Sequence, residues 1–200
     1  MTWLDLPLKK YVEIVNLYTD TDLDYEDRLL YVSQVLFDVN PLKLTMAELS
    51  KLIGRSEFLK SPIPKVRVRD TYTLNGTKYV LMKDLKDVSV AQWIDFQSYL
   101  KDGSGADNWH NILSVFLFPE GHVEYGEGYD LMKVKADISN QLSVADSLAI
   151  SSFFLTFQKR LSVLSLLSTR RRMLKGMKDR KARRRIRRTI RRAMVDLIGG

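Results

Sequence analysis

The chain has 200 residues, 45 % of them hydrophobic, enough for one sizeable core with appendages. It contains no cysteine, which excludes disulfides and thiolate metal sites and suits a reducing cytoplasm or a particle assembled there. The net charge of +8 is unevenly held: residues 169–200 carry 14 cations and 2 carboxylates, and residues 1–168 carry 18 cations and 22 carboxylates, so a +12 arm follows a −4 body.

Met1-Thr2-Trp3-Leu4-Asp5 has no basic n-region, so no signal peptide is expected. Pro7 at a first helical position, followed by Leu8, Tyr11, Val12, Val15 and Tyr18, predicts an amphipathic helix over about 7–18. Asp20, Asp22 and Asp24 alternate like the start of a calcium loop, but Tyr25 and Tyr31 stand where that loop needs Gly and Glu. The acids are instead expected to lead into the N-terminus of a second helix, about 25–37, bearing Leu29, Leu30, Val32, Val35 and Leu36.

Asn40-Pro41 breaks the pattern, and Thr45 with Glu48 predicts a capping box for a short helix to about Ile53. Ser61-Pro62-Ile63-Pro64 reads as an extended connector. Val66, Val68, Tyr72 and Leu74 then run into Asn75-Gly76, and Tyr79, Val80 and Leu81 run out. This predicts a β-hairpin over about 66–84 with a type I′ turn. A lone hairpin is marginal in water and must pack on helices or pair with another chain.

Ser89 and Gln92 form a second capping box, opening a helix with Trp93, Phe96 and Leu100 that ends at Lys101-Asp102-Gly103-Ser104-Gly105. Asn108 is expected to cap another helix, carrying Trp109, Ile112, Leu113 and Phe116 and stopping at Pro119. Glu120 to Asp130 form a glycine-rich acidic loop. Ser143 and Asp146 start a long helix through Phe153, Phe154, Phe157, Leu161, Leu164 and Leu167. The window Leu148 to Leu167 is interrupted by Gln158, Lys159 and Arg160, which argues against a membrane span.

The long helix is expected to continue into the arm. Ala182, Ile186, Ile190, Ala193, Met194 and Leu197 recur at steps of three and four, one stripe of a helix from Thr169 to Leu197, about 29 residues and about 43 Å long. Gly176 is its weak point, and Gly199-Gly200 its stop. The cations are Arg170, Arg171, Arg172, Lys175, Lys178, Arg180, Lys181, Arg183, Arg184, Arg185, Arg187, Arg188, Arg191 and Arg192. Guanidinium forks match phosphate oxygens in pairs and displace condensed counterions, so contact with a nucleic-acid backbone, without sequence readout, is the leading expectation. An acidic partner surface, an anionic lipid surface and a solvated tail remain alternatives. Ile186, Ile190, Met194 and Leu197 form the stripe available for an oligomer or partner contact. The arm has no aromatic residue, which disfavours base stacking.

Catalytic signatures are missing: there is no phosphate-binding loop with Lys and Ser/Thr, no nucleophile elbow and no zincin pair. His110, expected on the exposed side of its helix, and His122, beside Glu120, Glu124, Glu127 and Asp130, match no metal-site spacing. Paired carboxylates can be drawn from Glu120, Glu124 and Glu127 as from any acidic loop. The expectation is a non-enzyme with no cofactor and no metal, of α+β class and predominantly α-helical: a helical body (1–168) with one hairpin, and a basic helical arm (169–200).

The order of elements resembles a known family. Two N-terminal helices precede Tyr72-Thr73-Leu74-Asn75-Gly76-Thr77-Lys78-Tyr79, then Asp84-Leu85, then Ser89-Val90-Ala91-Gln92-Trp93-Ile94-Asp95-Phe96-Gln97. Asn111-Ile112-Leu113-Ser114-Val115-Phe116-Leu117-Phe118-Pro119, Tyr129-Asp130 and Phe153-Phe154 continue the pattern over roughly residues 5–160. It resembles small proteins encoded among the structural and assembly genes of tailed bacteriophages, including crAss-like phages of gut Bacteroidota. The resemblance implies a non-enzymatic virion component that binds other virion subunits: a head, portal or tail protein, an internal cargo protein, or a tail assembly chaperone. The arm lies outside it and shifts the expectation toward a part packaged near the genome in the virion. A scaffold or chaperone binding a partner polypeptide and a membrane-active protein ejected with the genome are the rival readings, and a homo-oligomer fits the stripe.

Overall fold

The computed structural model describes residues 1–84, 88–102, 106–122, 125–154, 186, 188–189 and 191–193. It divides the chain into two compact units, Met1–Ser151 and Ser152–Gly200. The first unit is mostly helical, with a small antiparallel sheet, the α+β class read from the sequence.

Three helices open the chain: α1 (Leu8–Thr19), α2 (Tyr25–Phe37) and α3 (Met46–Arg55). Their ends follow from the local residues. Asp24 accepts a hydrogen bond from the Asp27 amide at 2.8 Å, and Glu26 and Asp27 place carboxylates in the first turn of α2. Asp38 closes α2 in the left-handed region at φ 54°, where Lys10 meets its carboxylate at 2.6 Å. At α3 the capping box is complete: the Glu48 amide donates to the Thr45 hydroxyl at 3.3 Å, and the Thr45 amide donates to the Glu48 carboxylate at 2.8 Å. Trp3, Leu6, Ile14, Val32, Leu36 and Val144 make one buried cluster in this half of the unit. Trp3 also donates its indole N–H to the Ser61 carbonyl at 3.1 Å, with its ring edge-on to Phe58.

The hairpin is shorter than the sequence suggests. Strand β1 (Thr71–Leu74) pairs with β2 (Thr77–Leu81) in the register Tyr72↔Tyr79, and residues 66–70 are extended but outside the ladder. Asn75 at φ 49° and Gly76 at φ 75° supply the two positive dihedrals a type I′ turn requires. Tyr72, Leu74, Tyr79 and Leu81 face inward, as a period of two demands.

A third strand corrects the expected helix ending at Pro119. Helix α4 (Val90–Asp102) follows the sheet, and α5 is only Trp109–Ser114; Leu117–Pro119 then form β3, antiparallel to β2 with Val80↔Phe118. Every residue from Ile112 to Phe118 is buried. A run buried on all sides has no apolar face to mark its period, and its Val-Phe-Leu-Phe content favours a strand. Pro119 lacks an amide proton and sits at the end of this edge strand, where no donor is needed. The hairpin thus acquires its third strand from the same chain.

Helix α6 (Leu131–Gln141) is not among the expected elements. Asp130, at the close of the glycine-rich loop, accepts from the Met132 and Lys133 amides at 2.9 and 3.2 Å and starts it. It packs Val134 and Ile138 inward and touches α1, α5, β1 and β3. A further helix, α7, is described over 144–154 and starts at the expected pair: the Asp146 amide donates to the Ser143 hydroxyl at 3.1 Å, and that hydroxyl to the Asp146 carboxylate at 2.9 Å. The expected continuation through Phe157, Leu161, Leu164 and Leu167, and the weak point at Gly176, lie outside the described residues. The two ends of the first unit are also stitched together: the Leu8 amide donates to the Leu142 carbonyl and the Val144 amide to the Leu6 carbonyl, at 3.0 and 2.9 Å. Among the described residues no helix is long and apolar enough to cross a membrane.

Candidate nucleic-acid interface

Within the arm the structure describes Ile186, Arg188, Thr189, Arg191, Arg192 and Ala193, all helical. At about 100° per residue, Ala193 returns to within about 20° of Ile186, whereas Arg188, Arg191 and Arg192 fall about 140–240° away. The burial agrees: Ile186 and Ala193 are half-buried, and the three arginines are exposed. The described residues of the arm are therefore amphipathic, with Ile186 and Ala193 on one side and three guanidinium groups on the other. The other expected contact residues, Arg170, Arg171, Arg172, Lys175, Lys178, Arg180, Lys181, Arg183, Arg184, Arg185 and Arg187, lie outside the described residues. So do Ile190, Met194 and Leu197 of the stripe.

The charge opposite in sign is concentrated in the first unit. Residues 11–42 hold seven carboxylates, Glu13, Asp20, Asp22, Asp24, Glu26, Asp27 and Asp38, against Arg28 alone. Arg28 is tied down locally: its guanidinium donates to the Asp20 and Leu23 carbonyls at 2.8 and 2.9 Å. A cleft of about 410 Å³ lies along α1 and α2, lined by Glu13, Asn16, Leu17, Asp20, Tyr31, Gln34 and Val35. Leu17 and Val35, half-buried against the core, give it an apolar lining beside the exposed Glu13 and Asp20 carboxylates. Neither carboxylate is in an ion pair among the described residues. By sequence Asp20, Asp22 and Asp24 read as the lead-in to a helix; the signal that marks the stretch as acidic is the ratio of seven to one over 32 residues (11 to 42).

The buried polar groups of this unit serve the fold. Tyr79 donates its hydroxyl to the buried Asp137 carboxylate at 2.6 Å, and Asn75 adds its amide at 3.3 Å, binding the hairpin to α6. Burial and then that carboxylate push the Tyr79 hydroxyl above the usual tyrosine range. Tyr125 donates to Asp95 at 2.9 Å and is pushed up in the same way, first by burial. Arg69 meets Asp146 at 2.6 Å and lies over the Tyr72 ring at 4.8 Å. The hydrogen bond to Asp146 is the main cause of its raised pKa.

Two expectations for polar residues need correction. Asn108 does not cap α5 through its side chain: its amide donates to the Tyr99 carbonyl, and its oxygen accepts from Asn111 at 2.7 Å. The preceding 3₁₀ turn, Ala106–Asn108, already gives the chain helical curvature before Trp109, so Asn108 does not stand in the extended conformation of a capping residue. His110 is half-buried rather than exposed, and desolvation followed by the Lys135 charge lowers its pKa. His122 stands edge-on to Tyr129 with ring centroids 5.2 Å apart. Among the described residues no three His, Asp or Glu side chains are grouped to hold a metal ion. No protein-family model, curated protein or solved structure matches the chain.

Proposed function

We propose that this protein is a non-enzymatic structural protein of a tailed-phage particle. Its acidic body binds other virion subunits, and its arginine-rich arm contacts the DNA backbone. The observation that carries the nucleic-acid half of this reading is the separation of charge, +12 on residues 169–200 against −4 on the rest, together with the exposure of Arg188, Arg191 and Arg192 opposite Ile186 and Ala193. The virion half rests on the resemblance of residues 5–160 to phage structural and assembly proteins.

Electrostatic contact with phosphates fixes how binding must respond to salt. If about six to ten cations engage, affinity for mixed-sequence duplex falls on the order of a thousandfold or more between about 50 and about 200 mM salt. Fluorescence anisotropy with the full chain tests this, and a flat salt response overturns it. Mass spectrometry of purified particles tests the virion assignment. Recovery of the chain only from infected-cell lysate refutes it and favours an assembly chaperone. That second reading draws on one feature, the acidic cleft along α1 and α2, which suits a basic polypeptide better than it suits DNA. Partner capture that survives nuclease treatment distinguishes it.

A further inference from the structure

We propose that the cleft along α1 and α2 receives the arginine-bearing helical segment of a second copy of the chain. Nucleic acid then competes with self-association for the arm, a consequence that rests on the DNA-binding reading above; the self-association does not.

Three observations converge on that occupant. The cleft has an apolar lining, Leu17 and Val35, with Tyr31 beside it 45 % exposed, so a side chain entering it removes apolar surface from water. Its volume of about 410 Å³ suits a few side chains from one face of a helix rather than an enclosed cofactor. Among the described residues its carboxylates are in no ion pair: Asp20 accepts from the Asp22 amide at 2.9 Å, and the exposed Lys9, four residues before Glu13 on α1, does not reach it. Residues 11–42 sum to −6, Arg28 is held by backbone carbonyls, and Lys10, the cation nearest in sequence to Glu13, is held by Asp38. The chain itself supplies the complement. Ile186 and Ala193 stand seven residues apart on one line of a helix, the i and i+7 spacing of helix-in-groove anchors, within a segment of charge +12.

Cleft and segment are different surfaces, so two copies either exchange segments reciprocally in a closed pair or each offers its segment to the cleft of the next. Opposite charges on every copy steer these encounters, and phosphate that neutralises the segment removes the attraction.

Sedimentation velocity of the full chain tests the proposal. Concentration-dependent association is expected at about 50 mM salt and its loss at about 500 mM, where screening is short-ranged. E13K/D20K is expected to weaken association about tenfold or more while leaving helix content unchanged, because both side chains are exposed. R188E/R191E/R192E is expected to weaken it likewise. Mixing the two charge-reversed proteins is expected to restore association between them, and E13Q/D20N to give an intermediate loss. A chain monomeric at low salt, or E13K/D20K associating like the wild type, overturns the proposal. Added duplex DNA is expected to disperse the wild-type assemblies. Association without any DNA binding sinks the nucleic-acid reading alone, and DNA binding by a strict monomer sinks this one alone.

Discussion

Replacing Tyr79 by Phe removes one oxygen and almost no volume, so its effect isolates a single buried bond. Tyr79 is 1 % exposed, and its hydroxyl lies 2.6 Å from a carboxylate of Asp137 that is itself 6 % exposed. A hydrogen bond to a charged acceptor contributes about 1.5–3 kcal/mol, and here the acceptor's remaining partners are weak: Asn75 at 3.3 Å and a mostly exposed Lys133 at 3.9 Å. Y79F is therefore expected to cost about 2 kcal/mol, a fall of about 4–8 °C in Tm for a chain of this length. In a D137N background, where the acceptor is neutral, the same substitution is expected to cost about 1 kcal/mol. The folded-state pKa of Tyr79 is raised, so its contribution is complete below the ordinary tyrosine value of about 10. It declines as pH rises above that value, because the unfolded chain ionises first. The gap between wild type and Y79F, read by urea denaturation, should accordingly be widest at neutral pH and narrow above about pH 10. A gap under about 0.5 kcal/mol at pH 7, or one that widens with alkali, refutes the reasoning.

Thr45→Ala removes the capping box of α3 and is expected to cost about 1 kcal/mol by thermal denaturation. In the wild type the Thr45 amide and hydroxyl hold the Glu48 carboxyl below its ordinary value. That contribution is present above the unfolded-state pKa and lost as pH falls through the folded one, and it is expected to be smaller in T45A, which loses the hydroxyl but keeps the backbone amide that is the larger cause. Gly76→Ala meets no atom within 4 Å, so only its φ of 75° resists a side chain; a loss of about 1 kcal/mol is expected, and a neutral result refutes the type I′ assignment. R188Q/R191Q/R192Q is expected to lower the slope of log affinity against log salt on duplex DNA by about 2 to 3, close to 0.9 for each phosphate left without its cation. An unchanged slope removes these residues from the interface.

The legible parts of the fold were those decided within a few residues. The turn at Asn75-Gly76, the boxes at Thr45/Glu48 and Ser89/Gln92 and the Ser143 cap facing Asp146 are each complete in a four-residue window, and each forms as its residues require. Strand β3 was hidden because its partner lies 38 positions away in sequence, at Val80↔Phe118, and because its neighbours are buried on every side. Helix α6 was hidden because its cap, Asp130, reads as the last acid of a loop, and because only Val134, Asp137 and Ile138 of its eleven residues are buried. Of these, Asp137 is the least expected from pattern alone: a carboxylate on the inner face looks like an error until Tyr79 and Asn75 are brought to it from the hairpin. The candidate interface was legible as charge and period. The cleft was not, since it needs Glu13 of α1 and Asp20 just past its end brought beside Tyr31 and Val35 of α2.

Salt sensitivity alone does not separate DNA binding from self-association, because both are attractions of one +12 segment for negative charge. Charge reversal on the body does. E13K/D20K raises the net charge from +8 to +12, which strengthens or preserves attraction to phosphate and weakens attraction between copies. R188E/R191E/R192E weakens both. The pair of variants therefore moves the two associations in opposite directions in one protein and the same direction in the other. If DNA affinity instead falls in E13K/D20K, the phosphate contacts extend onto the α1/α2 face. That face would then be part of the nucleic-acid interface rather than a seat for a second copy.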